Sequence, residues 1–217
     1  YPNALNLPID ESKIPSFVKP YIELTQKMAF LIAQLSKSEI RSINITAEGE
    51  ISEYLDSLQT FATVGVLAVS CGDEVNYVNA NFIAKEKGID LTTSEFSNHS
   101  GYQNKVSINI TTPTGVKTIS GTVFNEDVQR IVEINGFPLD IEPKGKMIIM
   151  RNHDVPGVIG EVGKILGNNN INIADFRLSR GKDGALAVIL IDEKACSDVL
   201  KKLDSLEAAI AVAYAEI

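Results

Sequence analysis

Residues 152–173 read NHDVPGVIGEVGKILGNNNINI. An acid, several amides and a Pro-Gly pair stand where a helical pattern begins. Pro156 suits a first helical position, because its missing N–H would have no partner there. Gly157 lets a ligand or a neighbouring backbone come close. The N–H groups of Gly157, Val158 and Ile159 then project from the helix start and, with the helix dipole, favour a carboxylate or phosphate. Asp154 sets a negative charge beside them. Asn152 and Asn172 offer amides from the ends of what read as two neighbouring central strands. An anion receptor next to an acid suits a zwitterion, with the α-carboxylate on the backbone and the α-ammonium on Asp154 and the amide oxygens. The same residues have a second reading: Asp154 caps the helix, and Asn170 and Asn172 shape the helix-to-strand turn.

No other constellation carries chemistry. The two histidines, His99 and His153, lie in polar segments, where a solvated imidazole is the ordinary case. Ser100 follows His99, but no third group orients them, so no nucleophile, acid/base pair or catalytic residue is assigned. Cys71 and Cys196 have no metal-ligand spacing; they read as free or buried thiols of a reducing compartment, and no metal site is expected. The glycines of GVIGEVG, Gly157, Gly160 and Gly163, are wrongly spaced for a dinucleotide turn and fall on a helical pattern, where Gly160 and Gly163 would allow close packing.

Elements that position the loop follow from periodicity. Apolar residues at Phe17, Tyr21, Leu24, Met28, Leu31 and Leu35 define a helix face. Alternation near Ile43, Ile45 and Ala47 gives a strand. Leu55–Ser70 reads as a buried helix, its run Phe61–Cys71 too short to span a bilayer. A short helix covers about Asn79–Lys87 and stops at Gly88. KVSINIT, VKTISGTVF and VQRIVEI are strands; Thr114-Gly115 joins the first two, and Asn135-Gly136 after the third is a hairpin signal. EPKG (142–145) is the expected domain boundary. Beyond it come a strand 146–151, a helix 157–169, strands 171–180 and 184–191, a helix 194–206 and a strand 208–217. The order β-α-β-β-α-β specifies a four-stranded antiparallel sheet with both helices on one face. The fold class is therefore α+β, a mixed intervening domain (15–145) followed by a ferredoxin-like domain (146–217).

The net charge of −8 in 217 residues disfavours nucleic-acid and anionic-membrane surfaces, so neither is expected as a partner. With no secretory signal, a cytoplasmic location is expected. The proline-rich start, 1–14, reads as an extended linker, and the chain as a piece of a longer protein.

HDVPGVIGEVGKILGNNNINIADFRLSR, with its D-x-P-G start and N-I-N return, resembles the opening of an ACT domain, an amino-acid-sensing module. ALNLP, VNYVNANFIAKEKGI and ISGTVFNEDVQRIVEINGFPLDIEPKGKMIIMRN resemble the carboxy-terminal half of D-3-phosphoglycerate dehydrogenase, in which an allosteric substrate-binding domain precedes an ACT domain. The resemblance covers nearly the whole chain. It implies L-serine, or another small amino acid, bound where two ACT domains meet, through Asn152, Asp154, Asn172 and the backbone near Gly157, Val158 and Ile159, and self-association through the ACT domain. It also implies an anion contact at Arg130, with Lys105 and Lys117 as further cations, other basic positions of relatives being Phe137 and Glu142 here. NAD and the catalytic groups would belong to the parent enzyme, an NAD-dependent oxidoreductase of serine biosynthesis. No cofactor is expected in this fragment, which should be inactive alone. The rival readings are the substrate-binding/ACT subunit of an L-serine dehydratase, whose Gly-Pro-Ser-Ser-Ser-His-Thr type motif does not occur here, and a free-standing amino-acid sensor.

Overall fold

The computed structural model describes residues 14–96 and 100–217. The expected linker, apart from Ile14, and His99 lie outside the described residues. The chain is α+β and divides into two compact units, Tyr1–Asn135 and Gly136–Ile217.

In the first unit α1 (Lys19–Gln34) buries Tyr21, Leu24, Met28, Leu31 and Ile32, the face set by its three- and four-residue spacing. β1 (Ser42–Glu48) turns Ile43, Ile45 and Ala47 inward. After a 3-10 turn at Glu50–Tyr54, α2 (Leu55–Cys71) crosses α1 at Gly65. A Cβ on Gly65 would stand 2.3 Å from the Gln26 carbonyl and 2.9 Å from Ala29 Cβ, so only glycine permits this approach. The helical run Glu50–Glu74 has 25 residues and is long and apolar enough to cross a bilayer by length and composition, which corrects the expectation of a run too short to do so. Leu58, Ala62 and Leu67, which point to more than one side of α2, are nevertheless all buried.

α3 (Ala80–Glu86) follows, then β2 (Asp90–Glu95), β3 (Lys105–Thr112), β4 (Gly115–Phe124) and β5 (Val128–Ile134), while β6 (Phe137–Ile141) falls in the second unit. Within the first unit the strand order is β2-β1-β3-β4-β5. β2 runs parallel to β1, from Ser42↔Asp90 to Ala47↔Glu95, and had no counterpart in the sequence reading. As an edge strand it has only one half-buried position, Leu91, so no alternation marks it. Asn135 and Gly136 both take positive φ, 50° and 80°, the pairing a two-residue hairpin turn requires.

In the second unit β7 (Lys146–Asn152), α4 (Val158–Asn168), β8 (Ile173–Gly181), β9 (Gly184–Ile191), α5 (Ser197–Asp204) and β10 (Ala209–Glu216) realise the expected β-α-β-β-α-β order. The sheet runs β10-β7-β9-β8, every neighbouring pair antiparallel. Both helices cover one face: Val158, Val162 and Leu166 of α4 and Val199 and Leu203 of α5 pack with Ile148, Met150, Ala187, Ile189 and Val212. The two asparagines after α4 end it. Asn169 Nδ2 donates to the Ile165 carbonyl, and Asn170 takes φ 55° to turn the chain into β8.

Candidate functional site

The register of the second sheet builds the floor of the site. Asn152 at the end of β7 faces Ala185 of β9, which faces Arg180 of β8. The next row is Met150, Ala187 and Leu178. Small residues in the middle strand leave room under the start of α4. That room is a cavity of about 260 Å³, lined by Asn152, Asp154, Gly157, Val158 and Ile159 together with Phe176, Leu178, Arg180 and Ala187. Five expected residues are thus brought together. Gly184 is what admits β9 here: at φ 111° a Cβ would lie 2.5 Å from the Asn152 carbonyl oxygen.

Gly157 is the N-cap of α4, with φ 94°, and no side chain caps the helix. Pro156 precedes the cap instead of opening the helix. The alternative in which Asp154 caps α4 is therefore not the one the structure adopts. Asp154 instead forms a two-point ion pair with Arg180, Nε to Oδ2 at 2.9 Å and Nη2 to Oδ1 at 3.1 Å. The first-turn N–H groups of α4 keep no helical partner, as at any helix start.

Asn152 is only 3% exposed. Its Nδ2 donates to the His153 carbonyl at 2.8 Å, while its Oδ1 is buried with no hydrogen-bond partner among the described residues. Such an orphan costs roughly 1–3 kcal/mol, and a ligand donor at the cavity would remove that cost. Uncapped helix start, carboxylate and orphan acceptor, all belonging to residues that line one cavity, together present donors to an anion and acceptors to a cation.

Asn172 stands elsewhere. Its Nδ2 donates to Asp192 Oδ2 at 2.6 Å, its backbone N–H donates to Glu193 Oε2 at 2.7 Å, and it does not line the cavity. The expectation of neighbouring central strands is corrected by the strand order: β8 is an edge strand, separated from β7 by β9. Arg180 is the residue that sequence reasoning missed. Its signal was the period of two, which puts Phe176, Leu178 and Arg180 on one face of β8. The expected close packing at Gly160 and Gly163 is not met within the chain, since a Cβ at either would touch nothing within 4 Å.

Of the three cations of the first unit, Lys105 and Arg130 fall at the same end of the sheet, since Val106 pairs with Gly121 and Gly121 with Ile131, and Lys117 falls toward the other end. Lys105 opens β3 opposite Glu48, and Arg130 of β5 stands opposite Thr122. Lys117, near the other end of β4, donates to the Leu35 carbonyl at the end of α1. Burial, with Lys37 nearby, holds its ammonium below the usual lysine range. Ser100 donates both N–H and Oγ–H to the buried Glu48 carboxylate, at 3.1 and 2.7 Å. His153 borders a separate depression with Glu161 and Glu207. Among the described residues no group of His, Cys, Asp and Glu could hold a metal ion, and both cysteines are free.

A β-α-β-β-α-β sheet with both helices on one face and a polar cavity at the start of the first defines the class: residues 146–208 match the model of the ACT domain. Residues 17–135 match that of the D-3-phosphoglycerate dehydrogenase intervening domain. The chain belongs to the D-3-phosphoglycerate dehydrogenase family and carries the two domains of its regulatory half. It is 36% identical over 190 residues to D-3-phosphoglycerate dehydrogenase of Bacillus subtilis, covering 87% of this chain and 36% of that protein. The enzyme of that name from Archaeoglobus fulgidus is 30% identical over 220 residues, covering 99% of this chain and 42% of the relative. The Synechocystis protein is 27% identical over 205 residues, covering 93% and 37%. The chain therefore spans about two fifths or less of the length of these relatives.

Proposed function

We propose that this chain is the regulatory portion of an NAD-dependent D-3-phosphoglycerate dehydrogenase of serine biosynthesis, a cytoplasmic oxidoreductase, and that its ACT unit binds L-serine for feedback inhibition. The observation that carries this reading is the buried, unpartnered Asn152 Oδ1 beside Asp154 and the uncapped start of α4. The amino acid's carboxylate docks on the N–H groups of Gly157, Val158 and Ile159, where the helix dipole favours negative charge. Its ammonium is taken by Asp154 and Asn152 Oδ1. Bulky side chains are disfavoured, because Phe176 and Leu178 wall the cavity on the β8 side.

Self-association through the ACT unit completes the picture. Gly160 and Gly163 present an open face of α4, beside Ile159, which is 53% exposed. A second copy meeting that face would be bridged by the ligand, and Asn172 would contribute from there. Binding stabilises one arrangement of the pair, and coupling of that kind is typically on the order of 1–3 kcal/mol. The first unit transmits the arrangement, with Arg130, Lys105 and Lys117 as its candidate anion contacts. Catalytic groups and the NAD site are assigned to segments other than these residues, so no chemical step is routed through this chain. The test is a thermal-shift screen of the twenty amino acids. A ligand at about 100 times its Kd stabilises the folded unit by about 2.7 kcal/mol; serine, or a close analogue in size, is expected to give the largest shift. A screen in which no amino acid raises Tm would overturn the reading.

A further inference from the structure

The residue that the site geometry adds is Arg180, and its place suggests how the cavity selects its ligand. Arg180 lies in the same cross-sheet row as Asn152, lines the same cavity, and holds both oxygens of Asp154 through Nε and Nη2. Its side chain is 72% exposed, so it can re-aim without disturbing the core. Resting on the amino-acid-binding reading above, we propose that Arg180 is a ligand of the effector carboxylate, and that the Asp154–Arg180 pair is a clamp which only a zwitterion opens without charge loss.

Charge exchange selects the zwitterion. Without ligand the site is neutralised by its own side chains. An amine lacking a carboxylate must displace the guanidinium from Asp154 and leave it unpaired. An acid lacking an amine must displace Asp154 from the guanidinium and leave the carboxylate unpaired. An α-amino acid replaces both partners together: its ammonium takes the place of Arg180 on Asp154, and its carboxylate takes the place of Asp154 on Arg180 while touching the start of α4. Planar guanidinium and carboxylate match at two points in either pairing. Asn152 Oδ1, buried and without a partner at the far side of the row, supplies the acceptor that the exposed pair alone lacks.

The experiment is calorimetric titration of the wild-type chain, Arg180→Ala and Arg180→Lys with L-serine, serinol and glycerate. Serinol keeps the ammonium and a hydroxyl but has no carboxylate; glycerate keeps the carboxylate but has no amine. The wild type is expected to bind serine well ahead of both. Arg180→Ala should weaken serine about tenfold and shrink the serine-to-serinol preference by at least that factor, since serinol no longer leaves a guanidinium unpaired, with Arg180→Lys in between. Far-UV circular dichroism shows whether each variant keeps its fold. If Arg180→Ala weakens serine and serinol equally, Arg180 merely holds Asp154 in place and the proposal is wrong. If the variant strengthens both, Arg180 is a competitor for Asp154, and the proposal is equally wrong. No heat from serine with the wild type overturns the amino-acid-binding reading itself, and this one with it.

Discussion

Asp154→Asn separates the functional claim from the structural one. The substitution keeps the shape of the side chain and removes its charge. In the free protein the charge meets Arg180, in a pair whose side chains are 72% (Arg180) and 36% (Asp154) exposed. An ion pair that open contributes about 0.2–1 kcal/mol, so Tm should fall by no more than a few degrees. The bound amino acid loses much more. A hydrogen bond to a charged group is worth roughly 1.5–3 kcal/mol, which converts to serine binding about 10–150 times weaker. Calorimetric titration gives the affinity, and urea unfolding of the same samples gives the stability. Affinity unchanged to within about twofold would refute the assignment of the ammonium to Asp154. A large loss of stability would show instead that Asp154 has a structural role beyond its pair with Arg180.

Three further outcomes follow from the geometry. Asn152→Leu replaces an amide whose Oδ1 is buried and unpartnered among the described residues, but it also removes the Nδ2 bond to the His153 carbonyl; the two effects oppose each other, so urea unfolding should show stability held to within about 1 kcal/mol, while serine binding is lost. Gly184→Ala places a Cβ 2.5 Å from the Asn152 carbonyl oxygen at φ 111°, and should cost roughly 1–3 kcal/mol in unfolding experiments, together with serine affinity, because the β7–β9 end shifts. Tyr214 is pushed up to about 12 by burial, then by its hydrogen bond and proximity to Glu216. Ultraviolet titration should show a late phenol that disappears in Tyr214→Phe and titrates earlier in Glu216→Gln. Since the folded pKa is the raised one, the associated stability is complete below the ordinary tyrosine pKa of about 10 and is lost as pH rises through about 12.

The parts of the fold that alternate or repeat every three to four residues were legible. The inward Ile43, Ile45 and Ala47 and the α1 face marked their elements because burial imposes a period. β2 was not, since pairing with β1 rather than burial makes it a strand. At the site the Pro-Gly turn and the acid were visible, but not which role Asp154 takes. That choice depends on Arg180, 26 residues along the chain and brought alongside by the β8–β9 register. Asn172 was placed near the ligand by its strand-end position and by resemblance, yet within one chain its amide is held by Asp192. Gly160 and Gly163 were read as packing sites; a sequence says that a surface lacks side chains, not which surface meets it.

The central claim is tested most directly by a crystal structure of the protein grown in excess L-serine. Density for the amino acid should fill the cavity at the start of α4, its carboxylate toward the N–H groups of Gly157, Val158 and Ile159 and its amine toward Asp154 and Asn152 Oδ1. An empty cavity, or one closed by a neighbouring side chain, under conditions where serine occupies the crystal's solvent would contradict the account.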